Sequence, residues 1–209
     1  MYCSQVRAKN TSRQRAHLLE CPAYLNVMKD SIPANNLLHR FDEGEVARSL
    51  QLPAPTLDLD FRLSIKVNPK VMIGPTSNGQ QQWISFIGGQ WAGRWGKGIV
   101  IPGGQDCHTV QKDHVTLLDA RFLIGTSDEP PVYITVKYSG KWTTGRDVVD
   151  QMGAAPEAAD HIAADRYKFR VNLELESGDD RYAFLNEGMW IGSGSRRVNE
   201  LVVDAYRLN

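Results

Sequence analysis

The chain has 209 residues, and its 24 Lys and Arg residues balance 24 Asp and Glu residues, so the formal net charge at pH 7 is zero. Proteins that bind nucleic-acid phosphates or membrane surfaces usually carry a basic excess, which is missing here. The three cysteines are odd in number and widely spaced, which argues against the disulfide framework of a secreted domain. The first residues lack the apolar core of a signal peptide, and no apolar run approaches the roughly 20 residues of a membrane-spanning helix. We therefore expect a soluble cytoplasmic protein without a nucleic-acid or membrane partner.

Residues 1–55 are predicted to form an N-terminal arm with short helical pieces. Candidate N-caps at 10–12 precede a helix predicted over 13–20. Helical turns are expected over 37–41 and 46–50, and a proline-containing segment then ends the arm. Because an arm of this kind can wrap a neighbouring subunit, we expect a homo-oligomer.

A different pattern begins at Leu57, where apolar and polar residues alternate as far as Val67. A period of two is typical of a half-buried β-strand. Further strands are predicted over 82–87, 98–101, 107–110, 116–124, 132–138, 167–176, 189–191 and 198–208. Turns are predicted at 75–79, 128–131, 139–140, 177–180 and 192–195. Helices are predicted in this part over 147–152 and 156–164 only.

Many short strands with regular turns indicate an antiparallel sandwich or barrel. A barrel is favoured because closure removes exposed strand edges and encloses a cavity. The sequence therefore predicts an all-β protein, with an antiparallel β-barrel over 56–209 that follows the short, partly helical arm.

The most informative segment runs from Phe86 to Asp106 and contains seven glycines and one proline. Glycines within strands usually mark bulges, bends or the close approach of a ligand. The segment ends in a turn signal over 102–104, and the carboxylate of Asp106 follows directly. This pattern predicts bent barrel strands that bring an acid to the mouth of a cavity, and a plain bent hairpin fits it equally well.

Charged residues form stripes on several predicted strands. Asp119 and Arg121 share one face of their strand, and Lys137 and Arg170 lie in similar stripes on two others. In most antiparallel sheets such stripes are solvent-exposed ladders of ion pairs. In a ligand-holding barrel, one stripe can instead line the cavity, where an acid beside a cation acts as an acid/base pair.

Two other groups of residues have side chains suited to catalysis or to ligand binding. The adjacent Cys107 and His108 do not form a catalytic dyad, because neighbouring residues of a strand face opposite sides. Tryptophans cluster near the turn-rich strand ends, where they either pack the core or line a pocket for a flat aromatic ligand. They are Trp83, Trp91, Trp95, Trp142 and Trp190.

Cys3, His17 and Cys21 have the side-chain chemistry of zinc ligands, and the segment around them resembles the second half of a fungal BED-type zinc finger. A structural zinc site needs four ligands, and only three are evident. The segment is therefore either a zinc site or a vestigial or structural arm, and we expect no metal or other cofactor in the barrel.

Several sequence blocks over about 57–208 occur in the order and spacing of a known family. They are Gly88-Gly89, Gly93, Gly98, 102–104 with Asp106, 119–121, 134–140, 167–170, 182–186 and 192–194. With these blocks the chain resembles the family called domain of unknown function 3237, which implies a lipocalin-like β-barrel. The turn over 128–131, Asp-Glu-Pro-Pro, departs from the Asp-Gly of relatives.

The resemblance also implies a function, because some fungal relatives are cofactor-free ring-closing enzymes of secondary metabolism. One type resembles an intramolecular hydroalkoxylase, which adds a phenolic hydroxyl across a prenyl-derived alkene of an aromatic polyketide. We therefore expect a cyclase or isomerase with a small aromatic substrate. The alternatives are a non-catalytic lipocalin-like carrier and a regulator whose arm binds zinc or DNA. An acid beside a cation in a closed cavity would favour the enzyme.

The implied reaction delivers one proton to carbon and removes one from oxygen. Asp106 is the predicted proton donor or relay. Arg121 or Lys137 is expected to stabilise the phenolate, with Asp119 orienting Arg121 or exchanging roles with Asp106. This hypothesis requires Asp106, Asp119 and Arg121 to converge inside the barrel.

Five further residues are predicted to contact the substrate. Tyr182 and Asn186 would form hydrogen bonds with it, and Trp95 and Trp142 would line the wall. Arg170 is the fifth predicted contact, from the charged stripe of its strand.

Overall fold

The computed structural model describes residues 38–111, 115–154 and 160–209. They fall into two units, one that ends at Ala54 and one that runs from Pro55 to Asn209. The first contains a 3-10 helix at Leu38–Arg40 and the short helix α1 at Val46–Ser49, in agreement with the helical turns predicted there. The helix predicted over 13–20 lies outside the described residues.

The second unit contains ten strands and few helices. The strands are β1 (Leu57–Val67), β2 (Val71–Thr76), β3 (Gly79–Gly93), β4 (Gly96–Val100), β5 (Gln105–Val110), β6 (Val115–Thr126), β7 (Tyr133–Thr144), β8 (Tyr167–Ser177), β9 (Trp190–Arg196) and β10 (Glu200–Leu208). Helix α2 (Arg146–Ala154) follows β7, and 3-10 helices lie at Ala164–Arg166 and Asp180–Leu185. Among the described helices, none has the length and apolar character needed to cross a bilayer.

All strand pairings are antiparallel, and they close into a ring. The order runs from β1 through β10, β9, β8, β7 and β6 to β4 and β5, which both pair with β3, and β3 returns to β1. Because β4 and β5 share one position between β3 and β6, the ring has eight positions. The predicted antiparallel β-barrel is confirmed. Strand β2 lies outside the ring. It pairs with residues 79–83 of β3, which precede the residues of β3 that pair with β1.

A β-bulge in β1 changes which residues face the core. Phe61, Leu63 and Ile65 are at most 1% exposed, but Leu59 is 46% exposed although it continues the same alternation. The register with β10 shifts between Leu59 and Phe61, and the extra residue turns the side chain of Asp60 inward. Alternation alone put Leu59 on the wrong face, because a bulge reverses the phase of the pattern.

The glycine-rich segment bends β3 and breaks the strand position shared by β4 and β5. Gly89 has a φ of +141°, and a Cβ there would lie 2.1 Å from the backbone oxygen of Ser64. Only glycine allows β1 and β3 to approach so closely at this point. The break at 101–104 then leads into β5, which begins at Gln105 and carries Asp106, whereas β3 and β4 form a hairpin between Gly93 and Gly96.

Three sequence predictions of local structure were wrong. The turn predicted at 139–140 lies within β7, and the turn predicted at 192–195 lies within β9. Strand β2 was not predicted, because Pro75 and its neighbours indicated a turn. The helix predicted over 147–152 lies within α2. Of the helix predicted over 156–164, the described part begins at 160 and forms turns that lead to a 3-10 helix.

Candidate functional site

An interior cavity of about 400 Å³ lies at one end of the barrel. Its apolar wall includes Ile84, Phe169 and Leu201, and its polar groups include Asp106 and His108. Its volume lies in the range of pockets that bind drug-sized ligands.

The opposite end of the barrel is filled by a cluster that we call the aromatic floor, made of Phe61, Trp91, Trp95, Tyr182 and Trp190. The ring centroids of Trp91 and Trp95 lie 4.3 Å apart, and the Trp95 ring also meets Phe61 at 5.5 Å and Tyr182 at 5.9 Å. The indole nitrogen of Trp190 donates a 2.7 Å hydrogen bond to Oδ2 of Asp60.

The most unusual group in the cavity is the carboxyl of Asp106, which is 2% exposed. Its Oδ2 atom accepts a short hydrogen bond from the hydroxyl of Tyr138 and lies 2.9 Å from Nε2 of His108. Its Oδ1 atom is buried and has no hydrogen-bond partner among the described residues. A buried carboxyl oxygen without a partner is costly, and this one belongs to a residue that lines the cavity.

Strand register explains how these three side chains meet. Asp106 of β5 pairs with Ala120 of β6, which in turn pairs with Tyr138 of β7. Because Ala120 is small, the Tyr138 phenol can reach across β6 to Asp106. His108 is two residues from Asp106 on β5, and residues two apart share a face of a strand.

Burial and nearby charges shift the pKa values of two residues close to Asp106. Burial is the main cause that raises the pKa of Tyr138 well above its usual value, and the charge and hydrogen bond of Asp106 add to it. Tyr138 therefore stays a phenol and a hydrogen-bond donor. Arg196 also lines the cavity. Burial lowers its pKa, whereas the nearby Tyr138 and Asp106 raise it.

Asp106 lies inside the barrel as expected, but the expectation that Asp119 and Arg121 converge with it is wrong. On β6 the side chains of Leu118, Ala120 and the other even-numbered residues point inward. Asp119 and Arg121 therefore lie on the outer face and are exposed.

Lys137 and Arg170 also lie outside the cavity. The Nζ atom of Lys137 is 3.3 Å from Oε2 of Glu174, in a surface ion pair. Arg170 is exposed, and its guanidinium donates a 3.0 Å hydrogen bond to Oγ of Ser193. Lys137 shares an outer groove of about 530 Å³ with Arg121. These groups form the solvated ladders that the alternative interpretation predicted.

Of the predicted binding residues, Trp142 lines the cavity and the others do not. Trp95 and Tyr182 belong to the aromatic floor, and the Tyr182 hydroxyl donates a 2.6 Å hydrogen bond to Oδ2 of Asp128. Asn186 is exposed, and its side chain makes hydrogen bonds of 2.8 and 3.0 Å with the backbone of Ser177. It stabilises a loop and does not face the cavity.

Sequence reasoning missed three residues of the site. His108 carried a detectable signal, because its two-residue spacing from Asp106 predicts a shared strand face. Tyr138 belongs to an apolar stripe that looks like ordinary core. Arg196 follows a Gly-Ser run that indicates a turn, so the sequence did not predict that Arg196 lies on a strand and points inward.

No cluster of three metal-ligating side chains occurs in the described parts of the chain. Cys3, His17 and Cys21 lie outside those parts, so the proposed zinc site stays a prediction. Similarity to known proteins gives no support for a zinc-finger remnant.

The fold and the site together define a closed antiparallel β-barrel with a buried acid in an interior cavity. The chain belongs to the family described as "Protein of unknown function (DUF3237)", whose model matches residues 55–208. A UPF0311 protein of Bradyrhizobium diazoefficiens is 25% identical over 156 residues, which cover 74% of this chain and 98% of the relative.

Two solved structures share the barrel. A β-barrel-like protein of Acinetobacter baumannii has a TM-score of 0.64 at 24% identity, covering 76% of this chain and 99% of its own. An enzyme from Penicillium herquei has a TM-score of 0.55 at 20% identity, covering 77% and 98%. At these identities the likeness shows the fold, and one distant neighbour with this fold is an enzyme.

Proposed function

We propose that this protein is a cofactor-independent ring-closing enzyme that acts by general acid/base catalysis. Its reaction is the intramolecular addition of a phenolic hydroxyl to an alkene on a prenylated aromatic polyketide of fungal secondary metabolism. The observation that carries the proposal is the Asp106 carboxyl, held through one oxygen by Tyr138 and His108 while Oδ1 has no partner. The Penicillium herquei neighbour supports catalysis by a barrel of this kind.

The arrangement suits a carboxylic acid that donates a proton from Oδ1. Tyr138 donates to Oδ2, and in the tautomer that protonates Nε2, His108 donates to the same oxygen. Two donors on Oδ2 leave Oδ1 as the atom that carries the proton. They also stabilise the carboxylate that remains after the proton has left.

The atoms and charges of the reaction balance without a cofactor. Asp106 donates a proton to the less substituted alkene carbon, and the cation forms at the more substituted one. The phenolic oxygen closes onto that carbon, its own proton goes to solvent water, and a proton from the solvent restores the acid form of Asp106. A C–O and a C–H bond replace an O–H bond and the π bond of the alkene, so the product is an isomer of unchanged mass.

The apolar wall gives the substrate its shape. Phe169 and Trp142 face the cavity with Ile84 and Leu201, and such surfaces bind flat aromatic rings and exclude water. Holding the hydroxyl and the alkene of one molecule in a folded conformation lowers the barrier by several kcal/mol.

A direct test uses 2-prenylated naphthols as substrates and follows their conversion to cyclic ethers of unchanged mass by chromatography with mass detection. We expect Asp106→Asn to reduce the rate about 100-fold or more, because the acid is lost while the shape is kept. Asp119→Asn is the matched control, since the same change on the outer face should leave the rate unaltered. Full turnover by folded Asp106→Asn would overturn the proposal.

A second candidate is a non-catalytic lipocalin-like carrier, which the mainly apolar cavity wall favours. A carrier would bind the same naphthols and return them unchanged. In that case Asp106→Asn would alter neither the mass nor the structure of the recovered ligand, and binding alone would be measurable by tryptophan fluorescence.

A further inference from the structure

We propose that Arg196 and the indole N–H of Trp142 form a subsite for an anionic oxygen, so that the substrate binds as a phenolate. This inference rests on the proposed function and specifies its substrate class. It also replaces Arg121 and Lys137, which lie on the outer face, as the source of the cation.

The first observation is the set of unused donors on Arg196. Its guanidinium donates one hydrogen bond, from Nη2 to the backbone oxygen of Val198 at 3.3 Å. A guanidinium has five N–H donors, and the others find no acceptor among the described residues. Arg196 lines the cavity, so these donors are available to a ligand there.

The second observation is the indole nitrogen of Trp142, which is buried and has no hydrogen-bond partner among the described residues. Buried indole N–H groups usually have a partner, and this one belongs to a residue of the cavity wall. An N–H group can only donate, so a ligand that pairs with it must offer an acceptor.

Tyr167 connects the two donors. The Trp142 ring packs edge-on against the Tyr167 ring with centroids 5.7 Å apart. The Tyr167 hydroxyl accepts a 3.1 Å hydrogen bond from the backbone nitrogen of Arg196. Arg196 and Trp142 both line the cavity and are therefore joined behind it through one buried residue.

The charge around the cavity favours an anion. Among the described lining residues, Lys70, Arg196 and Arg197 are cationic, and Asp106 is the acidic one. Lys70 is exposed, so its charge faces the solvent from which a ligand arrives. A phenolate is flat and apolar except for one charged oxygen, which matches an apolar cavity with one cationic wall.

This binding mode keeps the proposed reaction balanced. The phenol releases its proton to solvent water on binding, and its oxygen then closes the ring after Asp106 has protonated the alkene. A proton taken from the solvent restores the acid form of Asp106, which balances the proton that the phenol released, so no net charge is gained or lost.

The test compares two probes of nearly equal shape, 4-nitrophenolate at mildly alkaline pH and the neutral 4-nitroanisole, by calorimetric titration. We expect the wild type to bind the phenolate about tenfold or more tightly than the ether, because hydrogen bonds to charged groups are strong. Arg196→Gln should reduce phenolate affinity by about 10- to 100-fold and change ether affinity by less than about threefold.

Arg121→Gln is the matched control, since it removes the same charge from the outer face and should leave both affinities unchanged. Trp142→Phe keeps an aromatic ring and should also lower phenolate affinity selectively. It provides the test on its own if Arg196→Gln fails to fold. Equal affinity for the two probes in the wild type, or an equal loss of both in the variants, would overturn the subsite.

The same measurements separate this inference from the proposed function. A protein that prefers the phenolate but converts no prenylated naphthol would uphold the subsite and overturn ring closure. A protein that converts naphthols without any phenolate preference would uphold ring closure and overturn the subsite.

Discussion

The hydroxyl of Tyr138 donates a hydrogen bond to Oδ2 of Asp106 from two strands away, across the small side chain of Ala120. Three adjacent strands thus build one polar contact within an apolar interior. This contact should therefore contribute both to stability and to chemistry, whereas the aromatic floor at the other end should contribute to stability alone.

Tyr138→Phe should lower the free energy of unfolding by about 1–3 kcal/mol, because a buried carboxyl loses a donor. It should also slow naphthol conversion, since Asp106 is no longer held by that hydroxyl. Urea unfolding and the conversion assay measure the two effects. Tyr133→Phe, on the exposed face of the same strand, is the control, and equal effects of the two changes would contradict the prediction.

Stability should fall in alkaline solution because of Tyr138. Its pKa is raised in the folded state, mainly by burial, so above the ordinary value of 10.0 the unfolded chain releases this proton while the folded protein retains it. The stabilising contribution is therefore complete below that pH and is lost as the pH rises. Unfolding free energies of the wild type and Tyr138→Phe should converge there, and parallel curves would show that Tyr138 is not responsible.

Ala120→Val should disturb the site through its size. Ala120 is fully buried between the strands that carry Asp106 and Tyr138. Added methyl groups in such a position cost about 1–3 kcal/mol, and they push the two polar side chains apart. Thermal unfolding and the conversion assay should both detect the change. Leu123→Val, on the outer face of β6, should leave conversion unaltered.

Asp60→Ala should destabilise the protein without changing ligand binding. It leaves the buried Trp190 indole N–H without its acceptor, which costs about 1–3 kcal/mol. Asp60→Asn keeps an acceptor and should recover much of the loss. Because Asp60 lies at the aromatic floor, 4-nitrophenolate affinity should stay within about twofold of wild type. A large loss of affinity would mean that the two ends of the barrel are coupled.

The sequence predicted the barrel and the interior position of Asp106, because strand alternation and glycine placement are local signals. It did not predict the partners of Asp106. Tyr138 is indistinguishable from core packing in one strand alone, since its role depends on register across β6. The hypothesis placed Asp119 and Arg121 inside the barrel. The apolar Leu118 and Ala120 on the opposite face of the strand already indicated which side faces the core.

Arg196 illustrates a second limit. The glycines before it indicate a turn, but in the barrel they make room for a neighbour, since a Cβ at Gly194 would lie 2.3 Å from the Phe169 ring. Glycine in a strand and glycine in a turn look alike until the adjacent strand is known.

The aromatic floor has a consequence for substrate entry and product release. Because aromatic side chains fill that end, reactant and product must pass through the same cavity opening at the other end of the described structure. A cyclised molecule must depart before the next one enters, so accumulated product should act as a competitive inhibitor, and turnover in concentrated mixtures should be governed by the rate of departure.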